Sequence, residues 1–139
     1  MNIPQSAAAI LAAGLFAAAG AGAATPAELR DVYAAAAHAT TPGHASPSAV
    51  RGELFFKSTH GKEWSCASCH GARPVGDGRH AVTGKVIAPL APAFNSSRFV
   101  DAAKTEKWFK RNCNDVLGRE CSAAEKGDVL EYLLALNKG

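Results

Sequence analysis

The chain has 139 residues, is 47% hydrophobic and carries a formal net charge of +3 with histidine neutral. So small a charge excludes a nucleic-acid footprint, and the length allows one small domain rather than two. Four cysteines in so short a chain turn attention to covalent or metal chemistry.

Residues 7–24 are almost all Ala, Gly, Leu, Ile and Phe, and no acidic or basic side chain precedes Glu28. This is the pattern of a secretory signal peptide with an apolar core over residues 7–19. Small residues in Ala21-Gly22-Ala23 and Gly22-Ala23-Ala24 suit cleavage near Ala23 or Ala24. The segment before the apolar core lacks Lys and Arg, which departs from the usual pattern. A membrane helix would want a longer run and basic flanks. The expected division is therefore a signal peptide at 1–24 and an exported, periplasmic domain at 25–139.

Thr25, Pro26 and Glu28 predict the start of a first helix, with a capping box and proline at the first helical position. Leu29, Val32 and Tyr33 would share its inner face, and the helix should end near Ala39, before Pro42 and Gly43. Residues 40–47 read as a loop. Ser48 can cap a second helix to about Lys57, with Val50, Leu54 and Phe55 as its apolar face and Gly52 and Phe56 on an adjoining stripe. Those two could meet Tyr132 and Leu133 of the last helix, glycine permitting close approach.

Residues 71–97 hold four glycines and three prolines without sustained periodicity, so they predict an ordered loop and no strand. Asp101 caps a third helix reaching about Cys113. Ser122 and Glu125 form a second capping box for a last helix over 123–136. Lys104, Lys107, Lys110 and Arg111 lie on or near the third helix. They form a solvated face, partly paired through Glu106 and Lys110, that could also guide an acidic redox partner.

The chemistry is concentrated in Ser65-Cys66-Ala67-Ser68-Cys69-His70-Gly71. C-x-x-C-H is the attachment pattern of c-type haem. Two thiols spaced by three positions add to the two vinyl groups of one haem edge, and the following histidine then ligates the iron. A dithiol oxidoreductase would not need His70 and would want a βαβ frame. Zinc would want a second ligand pair at knuckle spacing. A carbonyl near Pro89 is a candidate acceptor for the second ring nitrogen of His70.

What is missing is equally informative. Met1 is the only methionine and leaves with the leader, so His/Met ligation is excluded. The other face of the iron is left to His38, His44, His60 or His80, to a lysine, to a weak oxygen ligand, or to nothing. His80 is only ten residues beyond His70, a span of at most about 36 Å fully extended. Asn112 shares a helix face with Trp108 four residues earlier. Its alternative role is that of a left-handed residue closing the third helix, and Asn95 and Asn114 are comparable candidates. Trp108 is placed to contact the haem pocket. Export makes a disulfide between Cys113 and Cys121 chemically possible.

Several stretches together resemble a known family. They are Gly84-Lys85-Val86-Ile87-Ala88-Pro89-Leu90-Ala91-Pro92, Arg98-Phe99 and Glu106-Lys107-Trp108-Phe109-Lys110-Arg111-Asn112-Cys113-Asn114, followed by Gly118-Arg119 and Cys121. With the C-x-x-C-H run they are similar to the sphaeroides haem protein family over roughly residues 25–136. The resemblance implies an all-α, single-domain, class I-like cytochrome c fold with long haem-wrapping loops and one covalent haem c. It also implies a high-spin iron held by His70 and, on the distal side, by Asn112, beside a Cys113–Cys121 disulfide. The ligands it implies are oxygen, nitric oxide and carbon monoxide, and the redox partners are a dihaem cytochrome c and a membrane cytochrome b. A pure electron carrier and a peroxidase or nitric oxide-consuming enzyme are the rival functions. The enzyme would need distal acid–base groups, for which Arg79, Arg111 and His80 are candidates.

Overall fold

The computed structural model describes residues 23–138, so most of the expected signal peptide lies outside the described residues. Five helices and one short antiparallel ribbon follow in chain order: α1 (Pro26–Thr40), α2 (Ala49–Lys57), α3 (Cys66–His70), β1 (Gly78–Arg79), β2 (Val86–Ile87), α4 (Ala102–Leu117) and α5 (Ala123–Ala135). No described helix is long and apolar enough to cross a membrane.

Local capping chemistry sets the starts. The Thr25 hydroxyl accepts from the Glu28 amide while the Glu28 carboxylate accepts from the Thr25 amide, and Ser122 and Glu125 repeat the arrangement on α5. Ser48 and Asp101 cap α2 and α4. α4 runs one turn beyond the expected end at Cys113. It stops where Gly118 takes a left-handed φ of 72° and donates its amide to the Asn114 carbonyl. Asn112 is therefore an interior helical residue and not a left-handed cap.

α5 lies across α1 and α2, and its Leu130 and Leu133 are fully buried. Around them pack Leu29, Tyr33, Phe56, Ala91, Val129, Tyr132 and Leu136. The inward line of α2 is Gly52 and Phe56, whereas Val50 and Leu54 are 69% and 67% exposed, which corrects the expected face. Gly52 causes the rotation, because its missing Cβ brings α2 against the backbone of Asp128 and turns Val50 and Leu54 outward. On α1, Leu29, Tyr33 and Ala37 face inward, and Val32, expected among them, is exposed.

The loop after α3 contains the strand pair that sequence periodicity did not predict, with Gly78 opposite Ile87 and Arg79 opposite Val86. Two-residue strands are too short to show alternation. β1 lies directly on α3: a Cβ on Gly78 would stand 2.1 Å from the Cys69 carbonyl oxygen.

Candidate haem-binding site

Cys66, Cys69 and His70 occupy the single turn of α3. Ser65 caps the turn and is buried. It accepts from the Ser68 amide, and the Ser68 hydroxyl accepts from the Ser65 amide. Gly71, with φ of 80°, ends the turn. Cys66 and Cys69 form no disulfide. Burial pushes the Cys66 thiol up to about 11, and the Cys69 sulfur accepts the Ala81 amide at 3.2 Å. The His70 imidazole is pushed down to about 4, first by burial and then by the nearby Arg98 cation. At neutral pH it is uncharged, the form in which a ring nitrogen can ligate iron.

These residues fit a haem attached through sulfur. Cys66 packs against the same core cluster as the half-buried Phe55, Val75, Leu90, Phe94, Phe99 and Phe109, and the Phe56 ring lies 6.3 Å from that of His70. Among the described residues no three His, Cys, Asp or Glu side chains converge to cage a bare ion. Zinc ligation therefore lacks its remaining donors.

Arg98 is the neighbour that sequence reasoning left without a role. Its guanidinium donates to the Pro89 carbonyl at 2.9 Å and to the Ala88 carbonyl at 2.7 Å. Asn95 Nδ2 also donates to Pro89 O, at 3.1 Å. Of the carbonyls near Pro89, the expected place of an acceptor for a ring nitrogen of His70, that of Pro89 accepts from Asn95 and Arg98 and that of Ala88 from Arg98. Phe99 follows with φ of 59°, a left-handed conformation costing an aromatic residue about 1–2 kcal/mol. The clamp at Arg98 and the contact of Phe99 with Phe109, with centroids 6.4 Å apart, hold it there.

The inward stripe of α4 is Thr105, Phe109, Asn112, Cys113 and Val116, at helical spacing. Asn112 lies near the middle of that stripe and is half-buried. Asn95 and Asn114 spend their amides on the Pro89 and Lys110 carbonyls. Asn112 forms no side-chain hydrogen bond among the described residues. Trp108 stands on the outer flank instead, 46% exposed, with the Arg111 guanidinium 5.7 Å above its ring. Cys113 and Cys121, eight positions apart, have Cα atoms 5.6 Å apart, within the reach of a disulfide. Glu106 does not pair with Lys110. It accepts from Tyr33 and Lys126, while Lys110 reaches Glu120 at 3.1 Å.

Two of the histidine candidates have side-chain partners of their own. His60 stacks on Phe55 and places Nε2 2.9 Å from its carbonyl. His80 Nδ1 accepts the Val82 and Thr83 amides within the hairpin turn. His38 is exposed in the last turn of α1, and His44 lines a shallow depression with Ala34, Ala37 and Asp128. Arg79, on the same hairpin as His80, donates to the Gly84 carbonyl.

Comparison with known proteins gives consistent matches. Residues 42–133 match a family described as a domain of unknown function, DUF1924. The cytochrome c-type protein SHP of Cereibacter sphaeroides is 46% identical over 130 residues, covering 91% of this chain and 95% of that protein. Cytochrome c'' of Methylophilus methylotrophus is 44% identical over 110 residues, 76% of each chain. The structure of oxidised SHP, described as an oxygen-binding cytochrome c, superposes with a TM-score of 0.72 and 44% identity, over 83% of this chain and 100% of that one. Oxidised cytochrome c'' superposes with a TM-score of 0.73 and 43% identity, over 81% and 95%. A solution structure of cytochrome c'' concerned with haem-ligand detachment gives 0.71 and 43%, over 81% and 94%.

Proposed function

Because the chain belongs to the family of SHP and cytochrome c'', all-α monohaem proteins carrying covalent haem c, we propose that it is a periplasmic redox protein whose distal ligand, Asn112, is released on reduction to admit a diatomic gas. Haem c supplies the iron that accepts the electron and the gas. Cys66 and Cys69 hold it covalently and His70 ligates one face, its imidazole kept neutral by burial and Arg98. Asn112 would hold the other face in the oxidised state. An amide oxygen is a hard, neutral and weak ligand, better matched to ferric than to ferrous iron, so its hold would weaken on reduction and leave room for oxygen, nitric oxide or carbon monoxide. The Cys113–Cys121 bridge limits how far Asn112 travels. Export follows cleavage near Ala23 or Ala24, and electrons come from a dihaem cytochrome c and a membrane cytochrome b.

The observation that carries this reading is the placing of Asn112. It is an amide near the middle of an otherwise inward-packing helical stripe, with no protein partner, while Asn95 and Asn114 are committed to backbone carbonyls. The oxygen binding stated for SHP and the ligand detachment stated for cytochrome c'' agree with it.

The test is the absorption spectrum of the holoprotein, oxidised and reduced, with and without carbon monoxide, compared with Asn112→Ala. A reduced form that binds carbon monoxide, together with a mutant whose oxidised spectrum is altered, is expected. A low-spin reduced form indifferent to carbon monoxide would make the protein a simple electron carrier with a tightly held ligand.

A further inference from the structure

Helix α4 carries Asn112, yet side chains hold it to the fold more than backbone packing does. α5 lies closely along α1 and α2, and α4 makes no comparable approach to another element. Its strongest tether joins three helices. Glu106 of α4 accepts the phenolic hydroxyl of Tyr33 from α1 and the ammonium of Lys126 from α5, the latter at 2.8 Å. Lys126 also lies 5.5 Å from the ring centre of Tyr33 and 5.9 Å from that of Phe109. The edge of one of these rings meets the face of the other, with centroids 5.8 Å apart at 89°.

The Lys126 side chain is only 11% exposed and Tyr33 only 6%, while the Glu106 side chain is 48% exposed. The pair itself is therefore partly solvated, and the restraint lies in the whole set of contacts among Tyr33, Glu106, Phe109 and Lys126. Phe109 precedes Asn112 by three residues on the same stripe. α4 cannot turn about its axis without drawing Phe109 away from Tyr33, Lys126 and Phe99 together. Beyond Asn112 the Cys113–Cys121 pair forms a second tether. Asn112 lies between the two.

We propose that Tyr33, Glu106 and Lys126 are positioning residues for Asn112: they fix the rotation of α4 so that the amide is held at the distal face of the haem and returns there after release. The proposal rests on the reading of Asn112 as a releasable ligand. Glu106 is the part that α4 contributes, and Tyr33 and Lys126 are the fixed parts, anchored in the helical core.

The experiment uses the holoprotein with Tyr33→Phe, which keeps the ring and removes the donor, and Lys126→Met. Asn112→Ala is the reference. Arg30→Met, which breaks the α1–α5 ion pair Arg30–Glu131 without touching α4, controls for general destabilisation. Three readouts are taken: the ferric absorption spectrum, hydrogen exchange across residues 102–117 in both oxidation states, and carbon monoxide association after flash photolysis. Tyr33→Phe and Lys126→Met should shift the ferric spectrum towards that of Asn112→Ala and raise exchange in α4. They should also speed carbon monoxide association by roughly three- to tenfold, an effect inside the coupling range of contacting residues. Arg30→Met should only lower the melting temperature. In the Asn112→Ala background Tyr33→Phe should add nothing to the spectrum or the association rate. Unchanged spectra and kinetics in Tyr33→Phe, with Asn112→Ala altered, would overturn the positioning role alone. An unaltered Asn112→Ala would overturn the asparagine reading and this proposal with it. If Lys126→Met fails to fold, Tyr33→Phe decides.

Discussion

A Cβ built on Gly52 would stand 1.9 Å from the carbonyl oxygen of Asp128 and 2.9 Å from the Cβ of Tyr132. α2 and α5 therefore touch through backbone, and no side-chain rearrangement relieves the clash. Gly52→Ala must push the helices apart, separating Phe56 from Tyr132, whose ring centres lie 5.6 Å apart. Intrinsic helix propensity favours alanine by about 1 kcal/mol, but overpacking a rigid contact costs about 3 kcal/mol or more. The net effect is expected to be a large fall in melting temperature, measured by circular dichroism on holoprotein. A stabilised Gly52→Ala protein would show that the crossing is looser than the structure has it.

Below Gly52, Asp128 closes the same crossing. Its carboxylate accepts the Ser48 amide at 2.7 Å and the Arg51 guanidinium at 2.7 and 2.8 Å, while the residue is only 8% exposed. Asp128→Ala leaves a helix-capping amide and a partly exposed guanidinium without their acceptor. It should cost about 2–3 kcal/mol, read as a lower denaturant midpoint with an unchanged slope.

His70 predicts an acid dependence specific to the haem-free chain. Its folded pKa of about 4 lies below the ordinary histidine value of 6.5 because of burial and then Arg98. The unfolded chain thus binds a proton that the folded chain refuses. Stability is fully present above about pH 6.5 and is lost as pH falls towards 4, by at most about 3 kcal/mol. Denaturation of the apoprotein at a series of pH values should show this slope, and His70→Asn should remove it. In the holoprotein the ligated nitrogen is not available to the proton, and the slope should flatten.

The parts of this molecule that were legible in the sequence are those whose physics is contiguous. The Thr25/Glu28 and Ser122/Glu125 capping boxes each close within four residues, and they appear as expected. Cys66, Cys69 and His70 share one turn, so their spacing alone states the chemistry. Features set by distant chain were not legible. The outward turn of Val50 and Leu54 goes with the close approach of Gly52 to Asp128, and the β1–β2 pair joins Gly78 to Ile87 and Arg79 to Val86, with Gly78 packed on Cys69. Glu106 and Lys110 have the spacing of a helical ion pair, yet Glu106 binds Lys126, twenty residues on, and Tyr33, in the first helix. The place of Asn112 depended on whether α4 continued past Cys113, which Gly118 decides.

A Cys113–Cys121 bridge, which their Cα separation of 5.6 Å allows, would close a loop of eight positions. By loop entropy a crosslink of that span stabilises by about 2–3 kcal/mol. Cys113→Ser with Cys121→Ser is expected to lower the melting temperature accordingly. Because one of the two cysteines adjoins Asn112, the variant should also slow recovery of the oxidised spectrum after a reduction–oxidation cycle. Mass spectrometry of the unreduced protein under alkylation checks the bridge itself, since neither cysteine should be labelled.

Lys104, Lys107 and Arg111 are exposed on α4 and form no ion pair among the described residues, whereas Lys110 pairs with Glu120 and Lys126 with Glu106. Trp108, flanked by these cations, is 46% exposed. Unpaired charges beside an exposed aromatic favour encounter with an anionic partner. The consequence is measurable with a small reagent. Oxidation of the reduced holoprotein by hexacyanoferrate(III) should slow as salt is added. The triple variant Lys104→Glu, Lys107→Glu, Arg111→Glu should be slower by about tenfold or more at low ionic strength. The difference should narrow as the screening length falls from about 30 Å at 0.01 M to about 8 Å at 0.15 M. A cationic cobalt(III) oxidant should show the opposite charge dependence. Equal rates for both proteins with both oxidants would mean that electrons leave by another face, away from α4.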